Sequence, residues 1–318
     1  MPKPFQSRLA PALNAFLRFK QGLGQCYRRG ADTLRSFDRY VAQHQARRGP
    51  QDWPVLVSGW LSHRALRKAN TVACELVPVR QFCLFLRRFD PNAFVPERLW
   101  DAPATRTRFV PYDLSPAQVT ELIRRTQGLQ DLPLRRSGVR ALLSILYCTG
   151  LRLGEALRLR CSDVDFKEGC FFVRMSKGRS RWVPFGSDLR NGLEKCRKER
   201  RRYVPENPAA LLLCRADGSG YSVSIASDTI RKLMRQAGFK PAQGRTGPRP
   251  HDLRHAYANE RLRRWYRSGT NLQRRLPDLS VYLGHQNLLG TEIYLKARGD
   301  LLRLASRRMA VRFQRAKP

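Results

Sequence analysis

Four places between Thr149 and Leu295 set polar side chains among apolar neighbours. In TGLRLGEALRLR, Thr149 to Arg160, Arg152 stands among Leu151, Leu153, Ala156, Leu157 and Leu159. A guanidinium so placed loses hydration and needs an anion in return. Glu155, three residues on, shares its helix face and can supply one. A bound anion is the other candidate, and the residues alone leave both open. Lys177 lies in SKGRS, between two apolar runs. A lysine at such a turn is either a solvated residue or an ammonium delivered into a groove. Unlike arginine it can release a proton, so it can act as an acid. In HDLRH, His251 and Arg254 are three apart and His255 is four from His251, so all three address one side of a helix. A metal is conceivable there, but no further Cys, Asp or Glu at suitable spacing supports it, and no metal site is expected. Clamping and protonating a phosphate suits the pair better. In YLGHQNLLGTEIYL, Tyr282 to Leu295, Leu283-Gly284 reads as a helix end that presents His285, and Tyr294 follows nine residues later. A tyrosine titrates at about 10 and is a weak nucleophile unaided. Cations around the phosphate it attacks, and neighbours that handle protons, make it competent. Tyr257 and Tyr282 sit inside apolar helical patterns and read as packing residues.

The elements around these groups are mostly helical. Phe5, Leu9, Leu13, Phe16 and Leu17 form one stripe at helical spacing; Leu34, Phe37, Tyr40 and Val41 form a second. Trp60, Leu61 and Leu66 suggest a short third helix, and Val72 to Leu86 a longer fourth in which Pro78 predicts a kink or a late start. Residues 1–100 thus read as a small helical bundle with Arg and Lys outside. Residues 101–112, rich in Pro, Thr and Arg, read as a linker. Ser115-Pro116-Ala117-Gln118 has the pattern of a capping box, so a second domain, 113–318, opens there with a helix. Its first helices are expected at 116–127 and 134–149, with Gly150 as the terminating glycine. The one convincing β region is CFFVRM (Cys170–Met175) and RWVPF (Arg181–Phe185) around the SKGRS turn. A basic helix is expected at 188–203, and a last one at 300–315. The fold class is mainly α with a small β-hairpin, α+β.

Charge restricts the partners. The chain of 318 residues carries 61 Lys plus Arg against 25 Asp plus Glu, a formal net charge of +36. Such a field selects a polyanion, of which nucleic acid is the commonest. With 11 lysines and 50 arginines, the bias favours the two-pronged guanidinium fork that suits phosphate. Coding bias accounts for part of the preference for Arg over Lys, not for the net charge. No 18-residue apolar run and no signal-peptide pattern is present, so an intracellular protein with no membrane role is expected. The eight cysteines form no C-x-x-C pair and read as reduced buried thiols.

Arg, Lys, His-x-x-Arg, His and Tyr follow in that order from Arg152 to Tyr294. That order, with TGLRLGEALRL, SKGRSRWVPF, HDLRHAYA and LGHQNLLGTEIY, resembles the tyrosine recombinases, or phage integrases, over about residues 113–298. The resemblance implies a SAM-like helical DNA-binding domain and a catalytic domain forming a C-shaped clamp on double-stranded DNA. It implies that Arg152 and Arg254 grip the scissile phosphate, that Lys177 protonates the departing 5′ oxygen, and that His251 and His285 handle protons and contact the phosphate. Tyr294 matches the nucleophile of a 3′-phosphotyrosyl link; Glu155 and His255 match supporting positions. No cofactor, metal or ATP enters this scheme. The resemblance further implies a tetramer on two DNA sites, with sister recombinases as possible partners and a cytoplasmic, nucleoid-associated location. It points to integration, excision or transposition of a mobile element. The segment Glu260–Ser280 is longer than in compact members of the family. Two alternatives share the chemistry or the partner: a type IB topoisomerase that relaxes DNA as a monomer, and an inactive DNA-binding partner recombinase.

Overall fold

The computed structural model describes residues 4–44, 53–64, 66–98, 111–176, 179–244, 246–285, 287, 289–292, 294, 303 and 306. The chain divides into two compact units, Met1–Phe109 and Val110–Pro318. Of the linker expected at 101–112, only Pro111 and Tyr112 fall among the described residues.

The first unit contains helices α1 (Ala10–Gly22), α2 (Arg28–His44), α3 (Trp53–Ser62) and α4 (Ala69–Leu86). Each buries the stripe its spacing dictates: Leu13 and Phe16, Leu34 and Phe37, Val57 and Trp60, Leu76, Val79 and Phe82 form one core. Aromatic edges lock it, with Phe16 edge-on to Tyr27 at 5.6 Å and to Phe82 at 5.7 Å. Helix α4 begins at Ala69 and runs through Pro78, with no late start, and Leu76 and Val79 on either side are buried. Leu66 departs from expectation: it lies beyond the end of α3 and is fully exposed rather than part of its stripe. The N-terminal strand of chain is fixed by Asp38, buried in α2, which accepts the backbone N–H of Gln6 at 2.6 Å and of Ser7 at 3.1 Å.

The second unit opens with α5 (Pro116–Arg125), whose capping box is formed: Ser115 Oγ accepts the Gln118 N–H at 3.2 Å and Gln118 Oε1 accepts the Ser115 N–H at 3.0 Å. Helix α6 (Pro133–Thr149) is the central core helix and ends on Gly150 at φ 63°. A short α7 (Leu153–Leu157) follows, then strands β1 (Val164–Asp165), β2 (Cys170–Ser176) and β3 (Arg179–Pro184). They form one antiparallel sheet in the order β1-β2-β3, with Phe171 opposite Val183 and Val173 opposite Arg181. The two-residue β1 is too short to leave a periodic signal in the sequence. Helices α8 (Ser187–Arg201), α9 (Val223–Gln236), α10 (Asp252–Arg267), α11 (Leu272–Leu283) and the short α12 (Leu289–Glu292) complete the described α-helices. The long segment Glu260–Ser280 resolves into the second half of α10, a turn, and most of α11, which Asn271 caps by accepting the Gln273 N–H at 3.0 Å. Helix α11 also accommodates Pro277. The helix expected at 300–315 lies outside the described residues, apart from Arg303 and Ser306. The expectation of buried thiols holds for Cys83, Cys196 and Cys214 but not for Cys26, Cys74 and Cys148, which are exposed.

Candidate active site

Two helix ends build the site. Gly150 ends α6 and Gly284 ends α11, both in the left-handed region, at φ 63° and 68°. The last carbonyls of a helix have no partner within it and carry its negative dipole end. Here arginines take them up. Arg254, from the first turn of α10, donates Nη1 to Gly150 O at 2.7 Å and Nη2 to Leu283 O at 2.7 Å. Arg152, at the mouth of α7, donates Nη2 to Gly284 O at 2.9 Å. Arg181, on β3, donates Nε to Tyr282 O at 2.8 Å. Three consecutive carbonyls at the end of α11, Tyr282 to Gly284, therefore hold three different guanidiniums.

Glu155 is shared between two of them. Its carboxylate, with 1% of the side chain exposed, receives Arg152 Nη1 at 2.7 Å and Arg181 Nη2 at 3.0 Å. It also accepts the Arg152 backbone N–H at 2.9 Å, which fixes the start of α7. The salt bridge foreseen between Arg152 and Glu155 is thus present. It does not use up the arginine's charge, because the carboxylate is divided.

Arg254, His285 and Tyr294 meet at the centre. Arg254 is 2% exposed. Its Nη2 lies 2.9 Å from His285 Nε2, and its charge acts on the nearby Tyr294 phenol. An arginine can only donate, so His285 Nε2 accepts in this state and its proton resides on Nδ1, 2.8 Å from Thr291 Oγ1. A hydroxyl can donate or accept, so Thr291 supports either tautomer of His285. Burial pushes the Arg254 pKa down to about 10, although Tyr294 and Glu155 work to hold the charge. Tyr294 is 3% exposed, and burial raises its pKa above the ordinary phenol value against the pull of Arg254 and Arg152. The phenol is therefore protonated at rest, and its activation requires a proton acceptor.

Histidines provide one. His255 packs edge-on to Tyr294 with ring centroids 5.3 Å apart, and His251 stands 5.0 Å from His255. Burial, then Arg254, Arg249 and Arg152, push the His251 pKa down to about 4. His251 is neutral at pH 7, and in the free protein it is a weak base. It also keeps an open surface, so an anion can reach it and oppose the cationic part of that shift. Lys177 lies outside the described residues; the flanking Ser176 and Arg179 pair across the hairpin. Tyr257 and Tyr282 stack at 5.5 Å, and the Tyr282 hydroxyl donates to Pro184 O at 3.1 Å. Among the described residues no group of three or more His, Cys, Asp or Glu is placed to hold a metal.

Two residues of the site escaped the sequence reading. Thr291 carries no motif of its own, although its carbonyl also receives the Tyr294 N–H at 3.1 Å. Arg181 left a legible sign. It alternates with Val183, which is fully buried, so strand periodicity puts this arginine on the inward face.

Residues 113–299 match the phage integrase family. A protein described as an integrase/recombinase, y4rE of Sinorhizobium fredii, is 30% identical over 313 residues, covering 96% of each chain. The tyrosine recombinase XerC of Vibrio parahaemolyticus is 28% identical over 289 residues, 88% of this chain and 85% of its own. Among solved structures, the XerH site-specific recombinase bound to its difH substrate aligns with a TM-score of 0.66 at 19% identity, covering 87% of this chain and 77% of that one. The Tn1549 transposon integrase bound to transposon end DNA aligns at 0.65 and 17% identity, covering 94% and 99%.

Proposed function

This chain belongs to the phage integrase family, enzymes that cut and rejoin DNA, and from that premise we propose that Tyr294 is the nucleophile and that Arg152, Arg254, His251, His285 and Lys177 serve the phosphate it attacks. The observation that carries this reading is Arg254: one buried guanidinium bonded to His285 Nε2 and to both helix ends, its charge acting on the buried Tyr294 phenol, with Arg152 hung from the end of α11.

The reaction follows from charge. A phosphodiester repels an attacking phenolate, and two arginines on its nonbridging oxygens offset that repulsion and the charge that builds in the transition state. Tyr294 Oη attacks phosphorus as its proton passes to a histidine of the site. The bond to the 5′ oxygen breaks, and Lys177 gives that oxygen a proton. The product is a 3′-phosphotyrosyl link and a free 5′ hydroxyl. Because the link keeps the energy of the diester, the 5′ hydroxyl of another strand can reverse the step. His285 contacts the phosphate by donating from Nε2 once Arg254 Nη2 leaves that nitrogen for the phosphate, and the Thr291 hydroxyl permits this by turning to donate to Nδ1.

Most affinity for duplex DNA comes from the basic surfaces of both domains, so binding falls steeply with salt. Four protomers on paired sites would exchange strands, two acting at a time, alone or with sister recombinases. The reaction serves a mobile element and takes place in the cytoplasm on the nucleoid. The reading is tested with nicked duplexes that trap the covalent stage. Wild-type protein should give a protein–DNA adduct on a denaturing gel, and Tyr294→Phe should bind the same duplex and give none. An adduct that survives in Tyr294→Phe would move the nucleophile elsewhere. Relaxation of a plasmid lacking any special site would point to a topoisomerase instead.

A further inference from the structure

We propose that Arg181 is a positioning residue for Arg152, acting through Glu155 to orient its guanidinium and preserve its charge for the phosphate. The inference rests on the role proposed above for Arg152. Arg181 itself is not placed to meet DNA: only 10% of its side chain is exposed, and all three of its nitrogens bond within the protein. Nη2 and Nη1 meet the two oxygens of Glu155 at 3.0 and 3.4 Å, and Nε meets Tyr282 O at 2.8 Å.

The charge count gives the arrangement a purpose. Arg152 paired with Glu155 alone is formally neutral, and a neutral pair attracts a phosphate weakly. With Arg181 drawing on the same carboxylate, the three groups sum to +1 and Arg152 keeps a positive field on its open side. Geometry gives it a second purpose. Arg181 and Arg152 hang from the carbonyls of Tyr282 and Gly284, two residues apart at one helix end, so Arg181 fixes Glu155 against the same end that orients Arg152. The space for it is reserved: a Cβ on Gly284 would lie 2.7 Å from both Cζ and Nη1 of Arg181.

The test is single-turnover cleavage of a nicked duplex by the full chain. Arg181→Ala should slow cleavage about 100-fold, the loss expected from a reacting group displaced by about an ångström. Duplex affinity should change less than about twofold, since no phosphate contact is removed. Arg181→Lys, which restores the charge without the planar fork, should recover only part of the rate. In an Arg152→Ala background, Arg181→Ala should add little, because a residue that acts through another shows non-additive losses. Replacing the scissile 5′ oxygen by sulfur, which departs without a proton, should leave the Arg181→Ala defect undiminished. Rescue by sulfur would place the effect on the hairpin lysine, and additive losses with Arg152→Ala would make the two residues independent. Either result overturns the proposal, as does an Arg181→Ala protein that cleaves at the wild-type rate. A wild-type protein that forms no adduct counts against the proposed function rather than this inference. In that event a crystal structure of Arg181→Ala decides: the Arg152 guanidinium should leave Gly284 O, and an unmoved guanidinium refutes the link.

Discussion

Gly284→Ala separates two consequences of one missing methyl group. The backbone at this position has φ 68°, where an L side chain costs about 1–2 kcal/mol. The added Cβ would also stand 2.7 Å from the Arg181 guanidinium, so that side chain must move. Arg181 is tethered, and moving it forfeits at least the bond to Tyr282 O. A buried acceptor left without a donor costs a further ~1–3 kcal/mol. The sum is about 2–5 kcal/mol, and at about 2–4 °C per kcal/mol for a domain of this size the Tm should fall by roughly 4–20 °C. Gly269 is the control. It has nearly the same backbone, φ 71°, but an added Cβ there meets nothing within 4 Å. Gly269→Ala should therefore show the backbone part alone, about 1–2 kcal/mol. Thermal melts of both variants at pH 7, followed by circular dichroism, give the comparison. Equal losses would refute the claim that Arg181 fills the space beside Gly284, and with it the tethering of Glu155 to that helix end.

Arg152→Ala should lower the cleavage rate far more than duplex affinity, because one of many phosphate contacts is lost while a transition-state contact disappears; equal losses in both would make it a binding residue only. The His251 ring, held down to about 4 in the free protein, should stay neutral from pH 7 to about 5 in an NMR titration, and its pKa should rise when duplex DNA brings an anion to it. Its folded-state pKa lies below the unfolded value of about 6.5, so its contribution to stability is present above that pH and is lost as pH falls toward 4. Ser115→Ala removes the acceptor for the Gln118 N–H and should destabilise the second unit by about 1 kcal/mol, read from its thermal melt.

Local rules carried the sequence reading wherever the deciding partner was nearby in the chain. Ser115 and Gln118 are three apart, and their capping box was legible. Gly150 and Gly284 follow apolar helical runs, and both appear as left-handed helix ends. The stripes of α1, α2 and α4 name their own core residues. Partners distant in sequence were not legible. Nothing near Arg254 announces that it will bond to Gly150 O, 104 residues away, or to His285, 31 residues away. Arg152 and Glu155 were readable as a pair, but the third member, Arg181, joins from a strand 26 residues from Glu155. Leu66 was misplaced because apolar spacing alone does not reveal where α3 stops. The exposed cysteines escaped because cysteine is buried often enough that composition predicts burial everywhere.

The central claim is that Tyr294 carries the DNA. The direct measurement is to trap the adduct on a nicked duplex, digest protein and DNA, and identify the modified residue by mass spectrometry. A nucleotide joined through its 3′ phosphate to Tyr294 is the predicted result. A nucleotide on Tyr257, Tyr282 or a serine, or one joined through a 5′ phosphate, would contradict it.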